Sequence, residues 1–390
     1  MSTTRWSPSL VTAGLLVALS VVVVGQMYSA LALTDRIADD LAVAPADVTV
    51  ATTAFGIAYA LSFLVAGPLS DRFGPRAVIV VGLVLCTATS ALVAAAPTLL
   101  VLVVLRVIQG VSAAALAPAA FSYIARHVEP RRRAVVLTSV TSAMLASAII
   151  VQIVLTRLGE AVGWRGSFLL AAAVIAVGAL AARVLLLPGP RDAGATLRRT
   201  LRIIPALLCR GELVLLYVAT MSVMTAFVGL YTALALAGPA YAADPDVLLA
   251  LRTTALPAFV LIAAVAPWVG RAPASWRIPI GMLVAAGSLV VASAAGTAPL
   301  VLGVAQFVFV AAVAATAPAL VQRVGVLAPD HAGTAVALYA CAMFAGASLG
   351  PQLVRLSLAA GFTILLFVLA AALVVGAALA VIASRLTRTA

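Results

Sequence analysis

The side chains that could do chemistry here are few, and their types suit the binding of charge, not the making of bonds. His127 and His331 are the two histidines, each beside a predicted loop and neither in an H-E-x-x-H spacing. Cys86, Cys209 and Cys341 lack metal-ligand spacing and read as small apolar fillers. No nucleophile has a base beside it and no glycine-rich loop could cradle a nucleotide, so no enzyme, catalytic residue, cofactor or metal is expected. What remains is ionic. Gly67-Pro-Leu-Ser-Asp-Arg-Phe-Gly-Pro-Arg76 packs charge into one turn, and Leu105-Arg-Val-Ile-Gln-Gly110 sets a guanidinium and an amide inside an apolar run. Asp71 can accept hydrogen bonds from a neighbouring helix N-terminus while Arg72 and Arg76 brace it. Gly67 and Gly74 permit close turns, and Pro68 and Pro75 limit helix continuation. Arg106 is costly unless cavity water, carbonyls or an anion satisfies it, so it should face the protein interior.

The elements holding these residues are set by composition. The chain has 390 residues, 65% of them hydrophobic and 9% charged, with mean hydropathy +1.22. Uncharged runs near the length needed to cross about 30 Å of hydrocarbon recur along it. The expected fold is an all-α integral membrane protein with twelve transmembrane helices. The first six spans are Leu10 to Leu33, Val48 to Leu69, Ala77 to Ala96, Leu99 to Tyr123, Ala134 to Thr156 and Gly166 to Leu187. The second six are Gly211 to Leu236, Val247 to Val269, Ile278 to Ala295, Leu300 to Val321, Ala332 to Leu353 and Gly361 to Ala383. Thin loops at Pro97 and Thr297 separate neighbouring spans. The first run is too long for a signal-peptide core.

Every one of the 24 basic residues is arginine, and their placement orients the chain. Loops after odd-numbered spans, counted with Arg252, carry five arginines against seven carboxylates; the opposite side carries eighteen against five. By the positive-inside bias both termini are cytoplasmic. Short basic membrane-flanking loops find anionic lipid headgroups as partners, and no recognition module suggests nucleic acid.

The longest cytoplasmic connection divides the chain into residues 1–187, a linker at 188–210, and residues 211–390. In the linker Leu197, Leu201, Ile204 and Leu208 recur beside Arg198, Arg199 and Arg202, the pattern of a short amphipathic surface helix. Six spans, a joint and six more suit alternating access about a site in mid-membrane.

The motifs make this more definite. Gly67 to Arg76 resembles the loop between helices two and three of the major facilitator superfamily, and Arg106 to Gly110 resembles that family's Arg-x-x-Gln-Gly element on helix four. Gly163-Trp-Arg-Gly-Ser-Phe168 is similar to the family's start of helix six, with Trp164 and Arg165 placed at the interface. The nearest likeness is to bacterial drug and metabolite efflux members, including those of multidrug resistance. The resemblance implies two pseudo-symmetric six-helix halves in a bacterial cytoplasmic membrane, a monomer, and a small-molecule substrate. It also implies proton-coupled antiport, with Gly67, Asp71, Arg72, Gly74 and Arg76 as a cytoplasmic gate latched near helix eleven.

A cavity built from helices one, four, seven and ten would draw on Gln26, Tyr28, Arg106, Gln109, Thr225, Tyr231, Gln306 and Thr316. Ser29, Ser222, Met221, Met224, Phe227, Phe307 and Phe309 lie on the same spans, and soft apolar groups favour an amphipathic ligand. Gly110, Gly346, Gly350 and Pro351 read as helix-packing positions. Two departures stand out. Helix five has neither Gly nor Pro, and the second-half turn Pro267-Trp-Val-Gly-Arg271 lacks the Asp-Arg pair. No Asp or Glu lies well inside a span, so Asp35 at the end of helix one, coupled to Arg106, is the remaining candidate for proton coupling. An uptake symporter, a facilitative uniporter and a transport-inactive membrane sensor are the alternatives to efflux.

Overall fold

The computed structural model describes residues 6–188, 197–269, 271–296 and 298–389. The described structure is helical and falls into two compact units, Met1–Leu201 and Arg202–Ala390. Ten of its helices are long and apolar enough to cross a membrane. Their outward faces keep large apolar side chains such as Leu100, Val177, Leu300 and Leu356 exposed, which suits lipid and not water.

The first unit begins with α1 (Ser9–Ala32), a short α2 (Thr34–Leu41), α3 (Pro45–Phe73) and α4 (Pro75–Ala94). It continues with α5 (Leu99–Ala113), α6 (Leu116–His127) and α7 (Pro130–Leu185). The expected fourth span is therefore two pieces. Pro118 has no N–H to bond the Ala114 carbonyl, and the chain closes the gap with a tighter Ala115 N–H to Ser112 carbonyl bond of 3.4 Å. At 56 residues α7 would run about 84 Å at 1.5 Å per residue, far beyond one crossing. It breaks at Gly163, whose φ of 70° and ψ of 175° suit glycine almost alone, and the break separates the expected fifth and sixth spans. Pro68, expected to stop the helix, instead lies inside α3, which runs on to Phe73. Gly74, at φ 87°, makes the one-residue joint, and Pro75 opens α4 where a missing N–H costs nothing.

The break at Gly163 aims the start of the next segment inward. Trp164 Nε1 donates to Asp40 on α2 at 3.1 Å, and Arg165 donates to the same carboxylate at 2.9 Å and to the Ala94 carbonyl at 2.8 Å. Sequence reasoning set Trp164 in the interfacial belt; it is buried, and it packs edge-on against Phe168.

The second unit takes in the end of α8 (Leu197–Leu208), then α9 (Gly211–Ala237), α10 (Pro245–Thr254), α11 (Leu256–Val269), α12 (Ala274–Ser293), α13 (Pro299–Leu327), α14 (Ala332–Leu356) and α15 (Gly361–Thr389). The linker helix is present as α8, with Leu207 buried and Leu208 exposed; Pro190 and the side chains of Leu197, Arg198, Arg199 and Leu201 lie outside the description. Thr297 also lies outside it. The expected eighth span, Val247 to Val269, is divided at Ala255. Pro257 removes the N–H that would reach Thr253, and the Thr253 and Thr254 hydroxyls bond back to Ala250 and Leu251 at 2.8 and 2.7 Å.

Between membrane helices, van der Waals contact replaces the hydrophobic effect as the main attraction, so close backbone approach matters. In the second unit α14 lays Gly346 and Gly350, one turn apart, on α9. A Cβ at Gly346 would fall 2.3 Å from the Met221 carbonyl oxygen, and one at Gly350 would fall 2.8 Å from the Thr225 carbonyl oxygen. In the first unit Gly110 does the same for α5 on α3, where a Cβ would stand 2.5 Å from the Phe55 carbonyl oxygen.

Two substitutions test this framework. Gly346→Ala must push α9 and α14 apart, costing about 1–3 kcal/mol by overpacking, while Gly325→Ala, in open space, leaves stability unchanged. Equal melting temperatures for the two variants in detergent would refute the seam. Gly163→Ala forces a side chain into a glycine-only conformation and should cost about 1–3 kcal/mol, read as a lowered melting temperature.

Candidate functional site

A guanidinium with no carboxylate needs dipoles in its place, and the first unit supplies them around Arg106. Its side chain is fully buried. Nη1 donates to Gln109 Oε1 at 2.6 Å and to Ser29 Oγ at 3.3 Å; Nη2 donates to the carbonyls of Gln26 and Met27 at 2.7 and 3.2 Å. The Phe55 ring lies 4.3 Å from the guanidinium carbon, a cation–π contact that adds attraction without a formal charge.

Local helix geometry makes this possible. Arg106 and Gln109 are three apart on α5 and share a face. Gln26, Met27 and Ser29 lie on one stretch of α1, where each carbonyl already bonded in the helix has a second lone pair to offer. Gln109 Nε2 donates to Ser90 Oγ on α4 at 2.7 Å and to Gln26 Oε1 at 3.4 Å, so three helices meet in one polar knot. Ser29 and Ser90 then donate to the carbonyls of Gln26 and Cys86 at 2.7 Å each. Among the described groups of this knot, only Nε of Arg106 lacks a partner. Ser90 and Phe55 were invisible to sequence reasoning, because nothing in their own segments marks the face they turn to α5.

Asp35 is not part of the knot. It sits exposed in the first turn of α2, and the structure does not bring it to Arg106. Tyr28 is buried on α1.

Around the charged turn, Arg72 is exposed with its guanidinium over the Phe73 ring, and Arg76 Nη2 donates to the Arg183 carbonyl at the end of α7. Phe73, Gly74, Arg76, Arg183 and Pro188 line a cavity of about 350 Å³. Gly67 has open space around it. The Asp71 side chain lies outside the description.

In the second unit the candidate residues divide into satisfied and unsatisfied groups. Thr225 Oγ1 donates to the Gly346 carbonyl at 3.0 Å, stitching the α9–α14 seam, and Thr316 Oγ1 bonds back to Ala312 at 2.7 Å. Pro351 is buried within α14 directly after the Gly346 and Gly350 contacts. Phe227 and Phe309 are buried and stack at 6.3 Å, while Phe307 is partly exposed. Tyr231 and Gln306 are both buried, and neither the hydroxyl nor either end of the amide has a partner among the described residues. Arg252, counted with the loops by sequence reasoning, is buried within α10. Its position inside the run from Val247 was the signal, the same one that singled out Arg106.

Known proteins now place this arrangement. Residues 14–351 match the Major Facilitator Superfamily. A segment of 135 residues, 35% of this chain, is 32% identical to an uncharacterised MFS-type transporter of Mycobacterium tuberculosis, covering 23% of that protein. A segment of 117 residues, 30% of the chain, is 35% identical to a multidrug resistance protein B homolog of the same organism, covering 22% of it. A segment of 132 residues, 34% of the chain, is 31% identical to the tetracenomycin C resistance and export protein of Streptomyces glaucescens, covering 24% of it. The matched part thus spans under a quarter of each of these relatives. A crystal structure of a peptide transporter, POT, in complex with sulfate superposes with a TM-score of 0.73 over 97% of this chain and 95% of that one, at 17% identity, a likeness of fold. Two helical units, apolar outer faces and a motif-borne guanidinium knot agree with these matches: the chain belongs to the Major Facilitator Superfamily, as a multi-pass bacterial membrane protein.

Proposed function

We propose that the chain moves a small amphipathic molecule by alternating access of two six-span units, each moving as a body. The observation that carries this reading is the pairing of two separately compact helical units with buried polar side chains on the first, fourth, seventh and tenth expected spans. Counting α7 as two crossings and α10 with α11 as one brings the ten long helices to twelve passes. Both termini then lie in the cytoplasm, the 188–210 linker joins the units there, and the protein works as a monomer among lipids.

Two readings of direction each have an observation behind them. The names of the matched relatives, multidrug resistance and export, favour efflux, with proton antiport as the usual energy source. The charge inventory favours a facilitative uniporter or an uptake carrier, because the carboxylate nearest to Arg106 in sequence reasoning, Asp35, is exposed and apart from it. A proton carrier inside the membrane normally needs such a group. The second reading asks less of these residues and is preferred for energy coupling; the direction of net flow then follows the solute gradient.

Arg106 acts here as the clamp that sets the mutual register of α1, α4 and α5. Asp71 and Arg72 act at the gate, with Gly67, Gly74 and Arg76 shaping the turn. Gln26, Tyr28, Gln109, Thr225, Tyr231, Gln306 and Thr316 border the path of the solute.

Reconstitution in vesicles of known orientation checks the reading. Under a solute gradient alone, a uniporter moves its compound down that gradient in either direction, and collapse of an imposed pH gradient leaves the rate unchanged. Movement only when a pH gradient is imposed would restore proton coupling, and the absence of any movement would remove the carrier reading. Arg106→Lys should cut transport at least tenfold, since one ammonium cannot reproduce a planar fork reaching four acceptors. Wild-type rates in that variant would deny the clamp.

A further inference from the structure

The second unit holds a group of buried polar side chains that its own fold leaves without partners. Tyr231 on α9, Arg252 on α10 and Gln306 on α13 are at most 7% exposed. Among the described residues the Tyr231 hydroxyl, Arg252 Nε, and both Oε1 and Nε2 of Gln306 have no hydrogen-bond partner. Buried polar groups are normally paired, and each one left over loses its water without recompense. Four such atoms on three neighbouring helices call for a ligand.

The three side chains share a level of the bundle. Phe227 and Phe309 stack across α9 and α13, fixing the register of two helices that run in opposite directions. Tyr231 lies one turn further along α9, edge-on to Phe227 at 5.7 Å, and Gln306 lies one turn back along α13. In antiparallel helices those two steps lead the same way. Arg252 joins them from α10, the helix that packs against α13 at this level. One turn before Gln306, a Cβ at Gly303 would meet Thr254 at 3.7 Å and Leu251 at 3.9 Å, so α10 packs on α13 at this point.

The first unit shows what a satisfied version looks like. Gln306 stands as far from Pro299, the first residue of α13, as Arg106 stands from Leu99, the first residue of α5. Tyr231 likewise stands as far along α9 as Ser29 stands along α1. Arg106 fills its place with four hydrogen bonds to its own unit. At the corresponding level of the second unit the guanidinium comes from α10 instead, and its Nε has no partner among the described residues.

We propose that Arg252, Tyr231 and Gln306 form a recognition site for the anionic group of the carried molecule, a carboxylate or an oxyanion of similar size. Arg252 supplies the charge and a fork of donors, Tyr231 a hydroxyl donor, and the Gln306 amide a further donor with an acceptor for a neighbouring hydroxyl or N–H of the same ligand. Phe227, Phe309 and their apolar neighbours then receive the uncharged body. This rests on the carrier reading and narrows its substrate from amphipathic compounds in general to amphipathic anions.

Binding can be measured apart from transport, on the purified full-length protein in lipid nanodiscs, with benzoate and 2-naphthoate as probes. Their primary amides, equal in shape and uncharged, and benzylamine, of opposite charge, are the comparisons. The expected result is that at least one carboxylate binds tenfold or more tightly than its amide and that benzylamine binds weakest. Arg252→Gln should remove that tenfold preference, while Tyr231→Phe and Gln306→Leu each weaken carboxylate binding several-fold with little change for the amide. A melting curve on each variant confirms that it is folded; should Arg252→Gln fail to fold, the Tyr231→Phe and Gln306→Leu variants decide the matter. Equal affinity for carboxylates and amides, or a folded Arg252→Gln variant that keeps the preference, overturns the proposal. Carboxylate binding without movement across vesicles would keep this site and remove the carrier reading; movement of a compound with no carboxylate preference would do the reverse.

Discussion

The first unit depends on a charge that cannot be neutralised and must therefore be solvated by protein. Taking a guanidinium from water into hydrocarbon costs several kcal/mol even after relaxation. Arg106 meets that demand with two backbone carbonyls from α1, a serine on the same helix, a glutamine on its own face and a ring beneath it. Such a shell is directional. Each acceptor fixes a distance between α1 and α5, and Gln109 extends the constraint to α4 through Ser90. The outcome is a directional corner in an apolar bundle, with the Trp164 and Arg165 bonds to Asp40 as a second polar tie.

Close packing completes what the polar knot begins. Gly110 lets α5 approach α3 until the Phe55 carbonyl lies against it, which brings the Phe55 ring under Arg106. A larger residue at Gly110 would separate the helices and dilute the cation–π contact, so the glycine and the arginine belong to one device. In the second unit Gly346 and Gly350 bring α14 onto α9, and Thr225 ties the contact with a hydrogen bond to the Gly346 carbonyl. Here the seam is held by backbone proximity and neutral hydroxyls, Tyr217 on α9 also donating to the Ala335 carbonyl on α14 at 3.1 Å.

What the sequence made legible follows from the physics of each feature. Long apolar runs cannot hide, so the helical membrane class and most spans were readable from composition alone. Breaks within spans were less so, because Pro118 and Pro257 act through an absent N–H whose consequence depends on what else can donate to the freed carbonyl. Pro68 shows the other outcome, staying inside α3 without ending it. Arg106 and Gln109 were recognisable because a charge three residues from an amide inside an apolar run is rare. Ser90 and Phe55 were not, since their part is set by which face of α3 and α4 meets α5. Arg252 sat in plain view inside an apolar run, but counting it among loop charges hid the fact that α10 buries it.

The contrast between the two buried arginines separates structure from function. Both terminal nitrogens of Arg106 are engaged on its own unit, with Nε alone left over, and a group so occupied is poorly placed to exchange partners as a solute passes. Its contribution is to hold helices in register. Arg252 lies in a helix that is already interrupted at Ala255, where the threonine back-bonds and Pro257 leave the backbone less constrained than in an unbroken span. Beside such a break the proposed anion site would take its partner and give it up. On this contrast Arg106 serves the scaffold, and Arg252 is where the proposed anion site would bring selectivity in.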